Sequence, residues 1–242
     1  MARKKHTLRR TFFTFLFMII VSLLSGCLYP QEKRVENQIP YETQILSVQT
    51  AVEAFQKDKG GILPIKTKDN DTSIYMKYVI DFQKLVPAYL PDYPGNAYEN
   101  GGPFQYVLID VETEPKVKLL DLRITEEIRE LRLRLHTQGY PPFKEQVANN
   151  VYTLDYSRLG YEEEPYVVSP YTNHHLPLLI TGSGEVQVDY SSDLYLTLQE
   201  KNYSYQPGDD IRPILTDNSF FVPAYSLPYT IDEKNEPVFM TK

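Results

Sequence analysis

The single cysteine of this sequence, Cys27, carries its most reactive side chain. An ionised thiol is a soft nucleophile that can take a covalent group, whereas one cysteine cannot form an internal disulfide. Leu24, Ser25 and Gly26 precede it, a branched aliphatic residue followed by two small ones. This stretch could therefore support covalent modification of the Cys27 sulfur, and the residues before it must present that sulfur.

The 26 residues before Cys27 have the composition of an export signal. Residues 1–10 hold five basic side chains and no acidic one, and residues 11–24 form a mostly apolar run of fourteen. A helix needs about 20 apolar residues to cross the hydrocarbon core of a bilayer, so this run is too short for a stable transmembrane helix. The order of charge and apolarity predicts a signal peptide at residues 1–26.

The string Leu24-Ser25-Gly26-Cys27 resembles the lipobox of bacterial lipoproteins. The resemblance implies a diacylglycerol on the Cys27 sulfur and cleavage between Gly26 and Cys27, where small neighbours give a peptidase access to the backbone. Two acyl chains hold a protein stably on a bilayer. Residues 27–40 would then be a tether on the extracytoplasmic face of the cell membrane. A signal-anchor that ends in cysteine by chance is the alternative.

The charge of the chain restricts its partners. Without residues 1–26 the sequence keeps 20 Lys and Arg against 32 Asp and Glu, a net charge of −12. Nucleic acid requires a basic footprint, and anionic lipid attracts basic segments. We therefore expect no nucleic-acid partner, membrane contact through the diacylglycerol on Cys27, and a protein partner in the envelope.

Other residue clusters do not match the spacing of known sites. His174-His175 lacks the His-Glu-x-x-His arrangement of a zinc helix. Asp69-Asn70-Asp71 would begin a calcium loop only with Gly and Glu at the positions of Ile74 and Ile80. Gly182-Ser183-Gly184 is not a Gly-x-Ser-x-Gly nucleophile elbow and indicates a hairpin turn. We expect no catalytic residue, metal site or cofactor, and leave any ligand-binding residues unassigned.

Residues 41–122 have the pattern of a first α+β module. Ile45, Val48, Val52 and Phe55 recur at helical spacing, and Gly60-Gly61 is a signal for the end of a helix. Residues 74–82 alternate loosely and could be a strand. Residues 104–111 and 117–122 are β-rich runs that predict a hairpin.

Three strings in this module resemble the soluble heads of type II secretion pseudopilins and type IV pilins. They are FQKDKGGILP at residues 55–64, LVPAYLP at 85–91 and PFQYV at 103–107. The resemblance implies one helix packed on a small antiparallel sheet. The prepilin cleavage motif and the apolar stem are absent from the sequence. A lipid on Cys27 would then replace the filament-forming stem, which implies a monomer or a weak oligomer.

Residues 123–191 repeat the same plan. Ile124, Ile128, Leu131 and Leu135 form an apolar stripe, with Thr125 as a candidate N-cap. Residues 176–181 and 185–190 flank the glycine-rich turn as a second hairpin. Landmarks in the two segments differ by a nearly constant 74 to 78 positions, which predicts a duplication. The alternative is that two segments rich in Gly and Pro align loosely.

Residues 192–242 form a Tyr- and Pro-rich extension. Within it, we expect residues 220–229 (FFVPAYSLPY) to lie as an extended arm over one module, the alternative being an exposed aromatic surface for a partner. The predicted fold class is α+β, with two tandem modules and this C-terminal arm.

The predicted function is a lipid-anchored, extracytoplasmic binding or scaffolding lipoprotein without catalysis. The alternative is an envelope hydrolase or cell-wall-binding enzyme with a loop-built site. The overall sequence pattern also resembles small lipoproteins of spore-forming Gram-positive bacteria, a resemblance that implies no activity.

Overall fold

The computed structural model describes residues 41–200 and 203–240, which belong to one compact unit, Tyr41–Lys242. Gly26, Cys27 and the predicted signal peptide and tether lie outside the described residues. No helix in the described part of the chain is both long and apolar enough to cross a bilayer.

The described chain is a mixture of helices and antiparallel sheets, as the predicted α+β class requires. The helices are α1 (Tyr41–Asp58), α2 (Ile74–Lys77), α3 (Leu122–Gln138), α4 (Ser191–Glu200) and α5 (Pro213–Asp217). The strands are β1 (Ile65–Thr67), β2 (Tyr78–Ile80), β3 (Phe104–Ile109), β4 (Lys116–Asp121), β5 (Phe143–Ala148), β6 (Val151–Leu154), β7 (Tyr166–Val168), β8 (His175–Thr181), β9 (Val186–Val188), β10 (Tyr229–Ile231) and β11 (Pro237–Phe239).

The first module is helix α1 packed on the antiparallel sheet β1-β2-β3-β4. The predicted stripe of α1 is buried against one face of this sheet, where it meets Ile80, Leu108 and Leu119. Neighbouring residues in the strands, such as Val107 and Leu120, point to the opposite face, because side chains alternate along a strand. The predicted helix and the β3–β4 hairpin are confirmed.

The expectation of one strand at residues 74–82 is wrong in its first half. Residues Ile74–Lys77 form helix α2, and only Tyr78–Ile80 pair with β3. The short helix buries Tyr75 beneath the C-terminal segment and leaves Ile74 exposed. Packing against a segment more than a hundred residues away thus overrides a local alternation that is weak evidence for a strand.

The second module is helix α3 on the sheet β5-β6-β8-β7, with β9 also paired to β8. The stripe of α3 is buried as predicted, and the β8–β9 hairpin is confirmed. The candidate N-cap Thr125 is wrong. The carboxylate of Asp121 accepts the backbone N–H of Arg123 at 2.9 Å, and the helix begins at Leu122. Asp is a good N-cap because its carboxylate satisfies an N–H group that has no partner within the helix.

The two modules share backbone hydrogen bonds at matching positions. In the first module, the N–H of Asp81 donates to the carbonyl of Pro64 at 2.7 Å. In the second module, the N–H of Asp155 donates to the carbonyl of Pro142 at 2.8 Å. A short 3-10 helix follows each aspartate. This similarity supports the predicted repeat, and its origin by duplication stays a prediction.

The C-terminal extension is more structured than an extended arm. It holds α4, α5 and the β10–β11 hairpin, and residues 220–229, which we call the C-terminal arm, lead from α5 into β10 with a turn at Ala224 and Tyr225. The arm bonds β4 through Leu119 and Val222 at 3.0 Å, and β9 through Val188 and Tyr225 at 2.9 Å. The expectation that it covers one module is therefore wrong. It crosses both, because its backbone groups bond a strand in each module.

Candidate binding cleft

A cleft of about 370 Å³ lies where the first sheet meets the C-terminal extension. One wall is α2 with the start of β2, the second is the β3–β4 turn, and the third is α5. We call this site the acid-rimmed cleft. Its volume is near the lower end of the roughly 300–1,000 Å³ that is typical of ligand pockets.

The floor of the cleft is aromatic and aliphatic. Tyr75 of α2 is only 3% exposed, and the guanidinium carbon of Arg212 lies 5.2 Å from its ring centroid. Arg212 is itself fixed by Asp210, whose carboxylate accepts from Nη2 at 2.6 Å. Burial raises the pKa of Tyr75, with a smaller opposing effect from Arg212, so the hydroxyl stays neutral in the physiological range.

The rim of the cleft is acidic. Asp110 and Glu112 lie on the β3–β4 turn, Asp217 lies at the end of α5, and all three are exposed. Asp110 pairs with Lys116 at 3.4 Å. Within residues 41–200 and 203–240, neither Glu112 nor Asp217 forms an ion pair. Two carboxylates on different walls are therefore free to meet a ligand.

The α5 wall is held to the sheet by Lys118. Its Nζ donates to the carbonyls of Thr216 at 2.5 Å and Ser219 at 2.6 Å, at the end of α5 and just after it. Carbonyls at a helix C-terminus lack partners within the helix, so an ammonium group stabilises them. Burial, with the nearby charge of Lys116, lowers the pKa of Lys118.

The sequence alone does not indicate that Lys118 holds a wall of the cleft. Its only local signal is a lysine between the apolar Val117 and Leu119 in a strand, which is typical of any strand with one polar face. The carbonyls that it binds lie 98 and 101 residues further along the chain. Nothing in the local pattern indicates that pairing.

The other residue clusters considered from the sequence do not come together. The ring of His175 stacks on Tyr166 at 3.6 Å, whereas His174 lies exposed in the preceding loop. Asn70 accepts a bond from Lys77 at 3.4 Å in an exposed turn. In the described part of the chain, no group of three or more His, Cys, Asp or Glu side chains is placed to hold a metal ion. Residues Gly182 to Gly184 form the predicted hairpin turn between β8 and β9.

A second recess, of about 240 Å³, lies between the loop before β8 and the helices α4 and α5, near the buried carboxylate of Asp193. Asp193 of α4 accepts bonds from the hydroxyls of Ser169 at 2.8 Å and Thr172 at 2.7 Å. Burial raises the pKa of Asp193, and the two hydroxyl groups oppose that shift. Ser169 is fully buried and also accepts two backbone N–H groups. The cluster therefore fixes the loop before β8 and uses both carboxylate oxygens of Asp193.

Residues 41–121 match the model of the YphF family N-terminal domain. This stretch coincides with α1 and the sheet β1–β4, so two walls of the acid-rimmed cleft belong to it and the α5 wall does not. No curated protein and no solved structure matches the chain. The resemblances to a lipobox and to pilin heads stay predictions.

Proposed function

We propose that this protein is a lipid-anchored binding or scaffolding protein on the extracytoplasmic face of a bacterial membrane. Cys27 carries the lipid, and the acid-rimmed cleft holds part of an envelope protein. The proposal combines the leader and lipobox-like string of residues 1–27 with the strongly acidic composition of the rest of the chain.

The observation that carries the binding role is the lining of the cleft. Its floor offers apolar and aromatic surface, and its rim offers charge at a few defined places. Pockets that hold ligands combine these two features, because apolar contact supplies affinity and sparse polar groups fix orientation. The alternative, an envelope hydrolase with a loop-built site, would have to use the same rim carboxylates on a bond held in the cleft.

The anchor is tested by mass spectrometry of the mature N-terminus. We expect a diacylglycerol-modified Cys27 in the wild-type protein from the membrane fraction. The variant Cys27→Ala should lack the lipid and leave that fraction, whereas Ser25→Ala, which keeps a small residue before the cleavage site, should behave as wild type. An unmodified Cys27 in a protein that retains its leader would refute the anchor.

The binding role is tested by crosslinking in membranes of cells that produce the full-length protein. We expect a discrete partner that is lost from the double variant Glu112→Gln, Asp217→Asn. The control Glu163→Gln neutralises an exposed carboxylate in the loop before β7 and should keep the partner. Equal recovery from both variants would show that the cleft does not hold it. Turnover of an envelope substrate that depends on the same two residues would favour the hydrolase.

A further inference from the structure

We infer that the acid-rimmed cleft accepts a lysine or arginine side chain, with an apolar residue beside it, from an extended segment of a partner protein. This inference rests on the proposed binding function and names the chemistry of the partner. Three features of the cleft support it: the charge of the rim, the surface of the floor and the exposed apolar residue at its edge.

The rim selects for positive charge. Glu112 and Asp217 line the opening from two different walls, and a third carboxylate, Asp110, pairs with the exposed Lys116. The partly buried Lys118, which is bound to two carbonyls, also lies within electrostatic range of Asp110 and Asp217. A cation at the opening would meet carboxylates on both sides, whereas an anion would be repelled. The net charge of −12 beyond residue 26 adds a long-range attraction for basic partners.

The tyrosine-containing lining of the cleft offers apolar surface for the stem of a basic side chain. Arg212 lies over the ring of Tyr75, and the Nζ of Lys77 lies 5.8 Å from the ring centroid of Tyr78. Ring faces attract cations through their quadrupole, and these two rings already hold the protein's own cations. The head group of a basic ligand must therefore be held by the rim carboxylates. The aliphatic stem of a lysine or arginine can pack on apolar surface while its head group reaches a polar edge.

An exposed apolar residue at the edge of the cleft indicates that the ligand has an apolar residue beside its basic side chain. Ile74 is 58% exposed although its side chain is aliphatic, and it lies at the opening beside Tyr78. A free amine small enough to sit among the carboxylates would leave Ile74 in water. A peptide segment would cover it with the residue next to its basic side chain, which removes apolar surface from water.

The test uses two peptides that differ in charge alone. The probes are acetyl-Leu-Arg-Leu-amide and the same peptide with citrulline, a neutral isostere of arginine. Binding to the full-length protein in detergent micelles is measured by isothermal titration calorimetry. We expect the arginine peptide to bind on the order of tenfold more tightly than the citrulline peptide. Its affinity should fall as salt rises, because exposed charges are screened.

Variants locate the effect. The double variant Glu112→Gln, Asp217→Asn should reduce arginine-peptide affinity on the order of tenfold and leave the citrulline peptide unchanged, while Glu163→Gln should change neither. Absent binding of the arginine peptide, equal binding of the two peptides, or an equal loss in Glu163→Gln would each overturn the inference. If the peptides fail but the crosslinked partner still depends on Glu112 and Asp217, the proposed function stands and the ligand class is wrong. If the peptides bind but no cleft-dependent partner is recovered, the proposed function is wrong.

Discussion

The C-terminal arm meets the last strand of each module's hairpin. In the first module it forms two bonds with Leu119, which donates its N–H to Phe220 at 2.7 Å and accepts that of Val222. In the second, Val188 donates its N–H to Tyr225. An unpaired strand edge is a template for aggregation, and covering it with another segment of the same chain is one way to prevent that. The two modules share this solution.

The outer faces of the two sheets, opposite the helices, are covered to different extents. In the first module, Val107 and Leu120 are buried beneath Val222 and Ala224 of the arm. In the second module, Tyr166 and Val168 on β7 are 44% and 48% exposed, and their partners on β8 are exposed as well. The same helix-on-sheet plan therefore produces a three-layer module in one case and a module with an open β7–β8 face in the other.

This difference explains why the acid-rimmed cleft forms in the first module. The cleft needs a third layer, because its α5 wall is brought to the sheet by the segment that covers the outer face. Lys118 fastens that wall, whereas the corresponding strand in the second module has Gln187 between two buried valines.

The largest expected difference in stability is between substitutions of one glycine in each module. A Cβ at Gly102 would overlap the backbone carbonyl of Asn96, whereas a Cβ at Gly182 would overlap only the end of the Asn150 side chain. Backbone cannot move aside as a side chain can. We expect Gly102→Ala to cost about 3 kcal/mol and Gly182→Ala about 1 kcal/mol. The melting temperature should fall by roughly 6–12 °C in the first and 2–4 °C in the second.

Circular dichroism melts of the two variants measure this difference. Gly102 does not lie in the left-handed region, so an alanine there suffers the overlap and not a forbidden backbone angle. Equal losses at the two sites would show that the loop around Asn96 moves as freely as a side chain. The comparison between a tightly fixed first module and a more tolerant second one would then be wrong.

An intermediate loss of stability should distinguish the covered outer face of the first sheet from the open outer face of the second. Val222, in the arm that covers the first sheet, is 1% exposed, and Val168 on the second sheet is 48% exposed. Val222→Ala should cost about 2 kcal/mol, from lost burial and the space left behind. Val168→Ala should cost less than about 0.5 kcal/mol. Hydrogen exchange should accelerate at the Leu119 amide in the first variant, because its acceptor lies in the arm. Faster exchange at the Leu119 amide in Val168→Ala would contradict the proposed difference between the covered and the open face.

Local sequence patterns predicted the parts of the fold that local physics determines. The stripes of α1 and α3 and both hairpins follow from the period of their apolar residues, and each is present. The conversion of residues 74–77 to a helix and the path of the arm across both sheets depend on contacts between distant segments. Thr125 is a plausible N-cap by residue type, but the observed N-cap lies four residues earlier at Asp121, which is also the last residue of β4.

The candidate site was less predictable than the fold. Its residues come from three stretches, near positions 75, 110 and 215, and no motif links them. The reactive clusters that the sequence does offer, at His174 and at Asp69, lie apart from the cleft. Exposed carboxylates in a turn are typical of any soluble protein, so only their position around an apolar floor distinguishes Glu112 and Asp217.

The smallest expected loss of stability comes from substituting two lysines beside the cleft. Lys118→Gln gives the first module the residue that the second has at Gln187. It removes two bonds to carbonyls but also removes a partly buried charge, so we expect a net loss of about 1 kcal/mol. Lys116→Gln removes the same charge from an exposed ion pair and should cost about 0.5 kcal/mol or less.

The two variants should change binding of the arginine peptide in opposite directions. Both make the cleft more negative, so charge alone would strengthen binding in each. Lys116→Gln leaves Asp110 without its ion-pair partner and should strengthen binding of the arginine peptide about twofold to fivefold. Lys118→Gln frees the α5 wall that carries Asp217, so it should weaken binding and accelerate hydrogen exchange at residues 213–219. Stronger binding in both variants would mean that the wall holds its position without Lys118, and that charge, rather than the third layer, makes the cleft.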